Sequence, residues 1–145
     1  MKRVTIEAIH SQIPRYAATQ LIQSSLVPDP EMFVPALRHW IDKSVTIVDE
    51  FEELLISPCL LIRDIFLNGL AFGDCDDIAM LSASILASIG ARVRFLAVFP
   101  QEDGSFAHVI TQYIFPSDSG WRDFDATIPF EPVYPEKVLA MEVIS

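Results

Sequence analysis

Gly73-Asp74-Cys75-Asp76-Asp77-Ile78-Ala79-Met80-Leu81-Ser82-Ala83-Ser84-Ile85-Leu86-Ala87-Ser88-Ile89-Gly90 reads as one capped helix with a cysteine at its start. Asp74 is the N-cap, Asp76 and Asp77 lie in the first turn where the helix dipole favours acids, and Gly90 is the stop. Cys75 shares a helical stripe with Ile78, Ala79, Ser82, Leu86 and Ile89, so its side chain is expected on the buried face. Free amide N–H groups at a helix start stabilise a thiolate and can receive a developing oxyanion. The bland alternative is a cysteine serving as a small core hydrophobe.

Downstream of Gly90 come three strand-like runs, 92–99, 106–115 and 121–128. Asp103-Gly104 marks the first turn and residues 116–120 the second. Phe95, Ala97 and Phe99 share one face opposite Leu96 and Val98, so the first run reads as a central strand. Arg92 and Arg94 share a solvated or partner-facing side. Upstream, Val4 to Ala8 alternates and predicts a short strand. Pro14 opens a helix to about Leu26, Pro28-Asp29-Pro30 breaks it, and a second helix runs from Pro30 to about Asp42. Ser44 to Val48 predicts a short extended piece, and Glu50 to Leu55 a charged turn. Ser57 is the N-cap of a further helix, Pro58 its first residue, and Asn68-Gly69 its stop. Helices followed by an antiparallel meander define an α+β layout, and the length fits a single domain over residues 1–145.

Two further residues make Cys75 more than a core thiol. His108, on the second strand, alternates with Phe106, Ile110, Gln112 and Ile114. Taken alone it reads as a satisfied core histidine. Asp125, near the end of the third strand, falls at the same end of the sheet, with Asp123 its rival on the same face. A tight closure at 116–120 would set Asp125 nearer Thr111, so pairing with His108 calls for a bulge or a shifted register. Together Cys75, His108 and Asp125 have the logic of a nucleophile, its base and the group that orients the base.

The composition bounds the partners. Hydrophobic residues make up 51% of 145 residues, and Asp plus Glu number 20 against 10 Lys plus Arg, a net charge of -10. The mean hydropathy is +0.35. That excludes a disordered chain, and the acidity argues against nucleic-acid and anionic-membrane binding. No run reaches the 20 or so apolar residues of a membrane span, and no signal peptide is read at Met1-Lys2-Arg3. The expected setting is therefore the cytoplasm. Cys59, beside Leu60, Leu61 and Ile62, is expected in the core and unpaired with Cys75. His10 and His39 lack ligand-spaced partners, and Asp74, Asp76 and Asp77 do not match a calcium loop. No metal or other cofactor is implied. Trp40 reads as packing.

These residues resemble the transglutaminase-like superfamily of cysteine enzymes. The resemblance is carried by Gly73-Asp74-Cys75-Asp76-Asp77, Arg92-Val93-Arg94-Phe95, His108-Val109 and Trp121-Arg122-Asp123-Phe124-Asp125-Ala126-Thr127, in that order. In the family the Asp stands four residues after a Trp, which picks Asp125 over Asp123. Val45 to Pro58, with Asp49, Glu53, Leu54 and Ser57-Pro58, is similar to a small stand-alone subgroup common in tailed bacteriophages and prophages. The resemblance spans roughly residues 30–130. It implies a papain-like fold, a Cys75–His108–Asp125 triad and chemistry at an amide carbonyl through a thioester, in a superfamily of peptidases, amidases, protein cross-linking enzymes and inactive members. Hydrolysis of a peptide or protein amide is the expectation, since cross-linking needs a second, amine-binding site and none is read. It also implies a side-chain oxyanion donor ahead of the cysteine, for which Asn68 is the nearest candidate. Asp74, Asp76 and Trp121 are candidate supports. Thr46-Ile47-Val48 stands where an aromatic residue is expected.

The bacterial setting follows from the same resemblance. A different class of function is a phage virion or assembly protein that keeps the fold for binding, with a vestigial or single-use triad. The apolar excess gives it weight, since large apolar patches mark partner interfaces. That excess is expected on the first two helices and the tail from Pro129 to Ile144, as docking ends for phage structural proteins.

Overall fold

A computed structural model of the chain describes residues 1–24, 30–48, 54–98, 108–128 and 137–143. The elements are α1 (Lys2–Ile9), α2 (Ile13–Ser24), α3 (Pro30–Ser44), β1 (Val45–Ile47), α4 (Pro58–Asn68), β2 (Ala71–Gly73), α5 (Cys75–Ser88), β3 (Arg92–Val98), β4 (His108–Ile114), β5 (Arg122–Phe124) and β6 (Lys137–Val143). The layout is α+β.

α5 is the axis of the molecule. Every residue from Asp77 to Ala87 is buried. It touches α1, α2 and α4 as well as β3 and β4. A helix apolar nearly all round must be enclosed, and here helices and sheet enclose it. Its two interior serines satisfy themselves. Ser82 Oγ donates to the Ile78 carbonyl at 2.7 Å and Ser84 Oγ to the Leu81 carbonyl at 2.9 Å. The exit matches the glycine signal. Gly90 sits at φ +102°, its amide donating to Ala87 and that of Ala91 to Leu86, the paired bonds that close a helix C-terminus.

The main sheet has the order β5-β4-β3-β6, all pairs antiparallel. β3 is central, as its two apolar faces predict. One face meets α5: Phe95 lies opposite Thr111, whose hydroxyl donates to the Ala79 carbonyl at 2.8 Å. The other face carries a small cluster of Leu96, Val98 and Ile110. A second, parallel sheet joins β1 to β2, with Ile47 opposite Gly73.

Three expectations need correction. Val4 to Ala8 is not a strand but lies in α1. The alternation there also fits a helical face, and burial of Thr5 and Ala8 beside α5 decides for the helix. Part of the tail is taken up by the sheet: 137–143 forms β6 and pairs with β3, with a register shift between Phe95 and Leu96. Nor is exposed apolar surface confined to the two ends. Leu54, Leu55, Leu60, Phe66, Leu67, Leu70 and Phe72 are exposed, alongside Ile13, Tyr16 and Ile22 of α2. Trp40 packs near Phe66, with ring centroids 6.2 Å apart. The breaks at 25–29 and 103–104, Asp49, Glu53, Phe106 and the tail residues 129–136 lie outside the described residues. No helix among the described residues is long and apolar enough to cross a membrane.

Candidate active site

The α5 entrance is built from short-range chemistry. Asp74 Oδ1 accepts the Asp77 amide at 3.0 Å, and Asp77 Oδ2 accepts the Asp74 amide at 3.0 Å. This reciprocal cap takes two of the amides a helix start leaves open. The Cys75 amide stands at the first helical position. Asp77 Oδ1 also accepts the Ile56 amide at 2.8 Å. Burial raises the Asp77 pKa to about 6, against the lowering effect of the Ile56 and Asp74 amides. Gly73 is needed here for space, since a Cβ on it would lie 3.0 Å from Asp77 Cβ.

His108 opens β4, and Asp125 lies just beyond β5. Phe124 is opposite Thr111. Asp125 is therefore a diagonal neighbour of His108, and the loop of 115–121 gives this register without a bulge between β4 and β5. His108 Nε2 donates to Asp125 Oδ2 at 2.8 Å. The Asp125 side chain is buried, at 2% exposure, and that of His108 is largely covered, at 12%. Thr127 closes the carboxylate from the other side: its amide and hydroxyl donate to Asp125 Oδ1 at 2.9 and 2.6 Å. Its Oγ1 is 3.3 Å from His108 Nε2.

The Cys75 side chain lies near enough to the imidazole to act on its titration together with Asp125. With Nε2 given to Asp125, Nδ1 is the nitrogen left for the thiol. Burial works against a charged His108, but the hydrogen bonds and charges of Asp125 and Cys75 outweigh it and carry the pKa up to about 9. The ends of α5, β4 and β5 thus bring Cys75, His108 and Asp125 together. The thiol itself is half-buried.

The other candidates fall elsewhere. Asp123 Oδ1 accepts from Gln112 Nε2 at 2.6 Å, and Gln112 Oε1 accepts from Arg94 Nε at 2.8 Å. That cross-strand ladder occupies the rival carboxylate. Arg94 is not simply solvated: its guanidinium stacks over Trp121 at 4.1 Å, with Arg92 at 5.7 Å. Trp121 therefore buttresses the outer face of the sheet. Asp76 Oδ1 lies 3.8 Å from Cys75 Sγ. Asn68 is the exposed last residue of α4. Cys59 is half-buried rather than in the core, its Sγ 3.2 Å from Ser11 Oγ, and both cysteines are free. Among the described residues, no group of three or more His, Cys, Asp or Glu could hold a metal.

No protein-family model matches the chain, and no curated protein matches it in sequence. A solved structure does: LapG of Legionella pneumophila, EGTA-treated, with a TM-score of 0.54 and 14% identity over 97% of this chain and 77% of that one. This chain shares its fold. At that identity the likeness is one of architecture, in accord with the papain-like layout, and the roles of individual residues rest on the geometry above.

Two residues around the site carry no role in the sequence reading. Thr127 had a local signal, because an Asp two residues ahead of an amide is the spacing of an Asx turn. Arg38 had none. It comes from α3, and its Nη1 donates to the Asp125 carbonyl at 2.6 Å across 87 residues of sequence.

Proposed function

We propose that the chain is a cysteine-dependent amide hydrolase, a peptidase or amidase, with Cys75 as nucleophile, His108 as acid–base and Asp125 as the orienting carboxylate. The observation that carries this is His108, hydrogen-bonded to the Asp125 carboxylate through Nε2 at 2.8 Å, with the Cys75 side chain near enough to raise the same imidazole's pKa. A module kept only for binding has no need of an imidazole held between thiol and acid.

In the proposed cycle the Cys75 proton passes to His108 Nδ1 ahead of the attack, in keeping with the raised imidazole pKa, and Sγ of the resulting ion pair attacks the amide carbonyl. The oxyanion is met by the Cys75 amide and the positive end of α5. His108 then gives its proton to the leaving amine, and the C–N bond breaks to leave a thioester. Water attacks the thioester, its proton passing to His108 and on to the departing Cys75 sulfur. Asp125 keeps Nε2 protonated throughout. The acyl donor is a peptide or protein with bulky apolar side chains. Ile47, Leu54, Leu55 and Phe72 are all exposed on segments tied to the α5 entrance: Ile47 faces Gly73 across the β1–β2 ladder, and the Ile56 amide bonds Asp77.

Alkylation by iodoacetamide, resolved by mass spectrometry, tests the pairing. Cys75 should react at pH 6 at least about tenfold faster than Cys59, and His108→Ala should abolish the difference. Equal rates for the two cysteines, or an indifferent His108→Ala, would remove the catalytic reading.

A further inference from the structure

We propose that Arg38 of α3 is a positioning residue for the Asp125–His108 pair, fixing the backbone of Asp125 so that its carboxylate meets the imidazole. The proposal rests on the hydrolase reading above.

The need for such a residue follows from where the ladder stops. β4 and β5 are paired only over Thr111–Phe124, Gln112–Asp123 and Tyr113–Arg122. Asp125 lies past the last of these pairs, so strand pairing does not set its peptide plane. Thr127 holds the Asp125 side chain locally, from the same unpaired segment. A hold from a different element is what converts that local turn into a fixed direction.

Arg38 supplies it. Nη1 donates to the Asp125 carbonyl at 2.6 Å, a charge-assisted bond. The same guanidinium lies over the Phe124 ring, 5.1 Å from its centroid. Two consecutive residues are thus gripped by one planar group, one through its carbonyl and one through its ring. The base of the grip is rigid: Leu37 and Ile41, beside Arg38 on α3, are both fully buried. A lysine can place a charge near the carbonyl but cannot also lay a plane on Phe124.

The test is an NMR titration of the His108 imidazole in the full chain, with Cys75 alkylation at pH 7 and thermal melting recorded alongside. Arg38→Met keeps the stem and removes the fork. It should lower the His108 midpoint by about one pH unit and slow Cys75 alkylation about tenfold. Arg38→Lys should recover part of both, and Arg63→Met, an exposed arginine on α4, should change neither. If Arg38→Met does not fold, Arg38→Lys alone decides, with a midpoint below that of the wild type expected. An unchanged His108 midpoint with only a lowered melting temperature overturns the proposal, leaving Arg38 a packing residue. Failure of the hydrolase reading shows separately, as Cys75 alkylation in the wild type that is indifferent to His108→Ala.

Discussion

Asp77 accepts the amide of Ile56 across 21 residues of sequence, at 2.8 Å, and thereby ties the segment before α4 to the first turn of the helix that bears Cys75. The same carboxylate holds the Asp74 amide, so one buried acid organises both sides of the entrance. Burial raises its pKa from 3.8 to about 6. Because the folded value lies above the unfolded one, the folded state binds the extra proton between these limits. The associated stability is present below about pH 3.8 and lost as pH rises through about 6. Asp77→Asn has no such titration. Chemical denaturation at pH 4 and pH 7 should show the wild type losing up to about 3 kcal/mol relative to the variant on going to neutral pH. A constant gap between the two proteins would contradict this.

Gly73 stands against the same carboxylate. A methyl group there meets Asp77 Cβ at 3.0 Å, and that atom cannot swing aside without breaking the cap. Gly73→Ala is expected to cost about 1–3 kcal/mol in urea melts and to disturb Cys75 alkylation through the shifted helix start. Gly120→Ala, where nothing lies within 4 Å, is the control and should stay within about 0.5 kcal/mol of the wild type. Similar melts for both variants would show that the close approach is not felt.

His108 titrates in the same sense as Asp77, at higher pH. Its pKa is raised from 6.5 to about 9, because the Asp125 and Cys75 interactions overcome its burial. A raised base stabilises fully below the unfolded value, and the contribution disappears as pH rises through the folded one. The His108–Asp125 pair should therefore stabilise the fold at pH 6, on the order of 3 kcal/mol, and lose most of that by about pH 9. Calorimetry of the wild type and His108→Ala at both pH values measures it. The variant should be the less stable protein at pH 6, with the difference shrinking toward pH 9.

How far these residues were legible depended on how local their cause was. Ser57, Pro58, Gly69, Asp74 and Gly90 act through their own neighbours, and the helices they bound begin and end where those side chains say. Cys75, His108 and Asp125 sit on element ends whose direction follows from an antiparallel meander, so their convergence could be reasoned out in advance. The register could not, because it depends on how many residues the 115–121 loop absorbs. The strand expected at Val4 to Ala8 failed because five residues of alternation also fit a helix, and only contact with α5 distinguishes the two. β6 was missed since pairing with β3 is a long-range event with no nearby turn signal. Arg38 was invisible for the same reason: its partner is a backbone carbonyl, and carbonyls have no sequence signature.

Phe72 is where substrate preference should be read. It lies in β2, three residues before Cys75, which places its Cα within about 10 Å of the nucleophile's. Ala71 and Gly73 on either side turn inward and are buried, while Phe72 is 54% exposed. Leaving that ring in water is unfavourable unless something apolar covers it during turnover, and an acyl donor docked beside the thiol is in position to do so. Peptidyl fluoromethyl ketones that differ only in one side chain, Leu against Asp, isolate the effect. The Leu compound should label Cys75 at least about tenfold faster, since about 60 Å² of newly covered apolar surface is enough for that factor. Phe72→Ser should erase most of the preference while leaving the iodoacetamide rate of Cys75 unchanged. Equal labelling by both compounds in the wild type would show that the apolar rim does not select the substrate, and an altered iodoacetamide rate would show that Phe72 acts on the thiol instead.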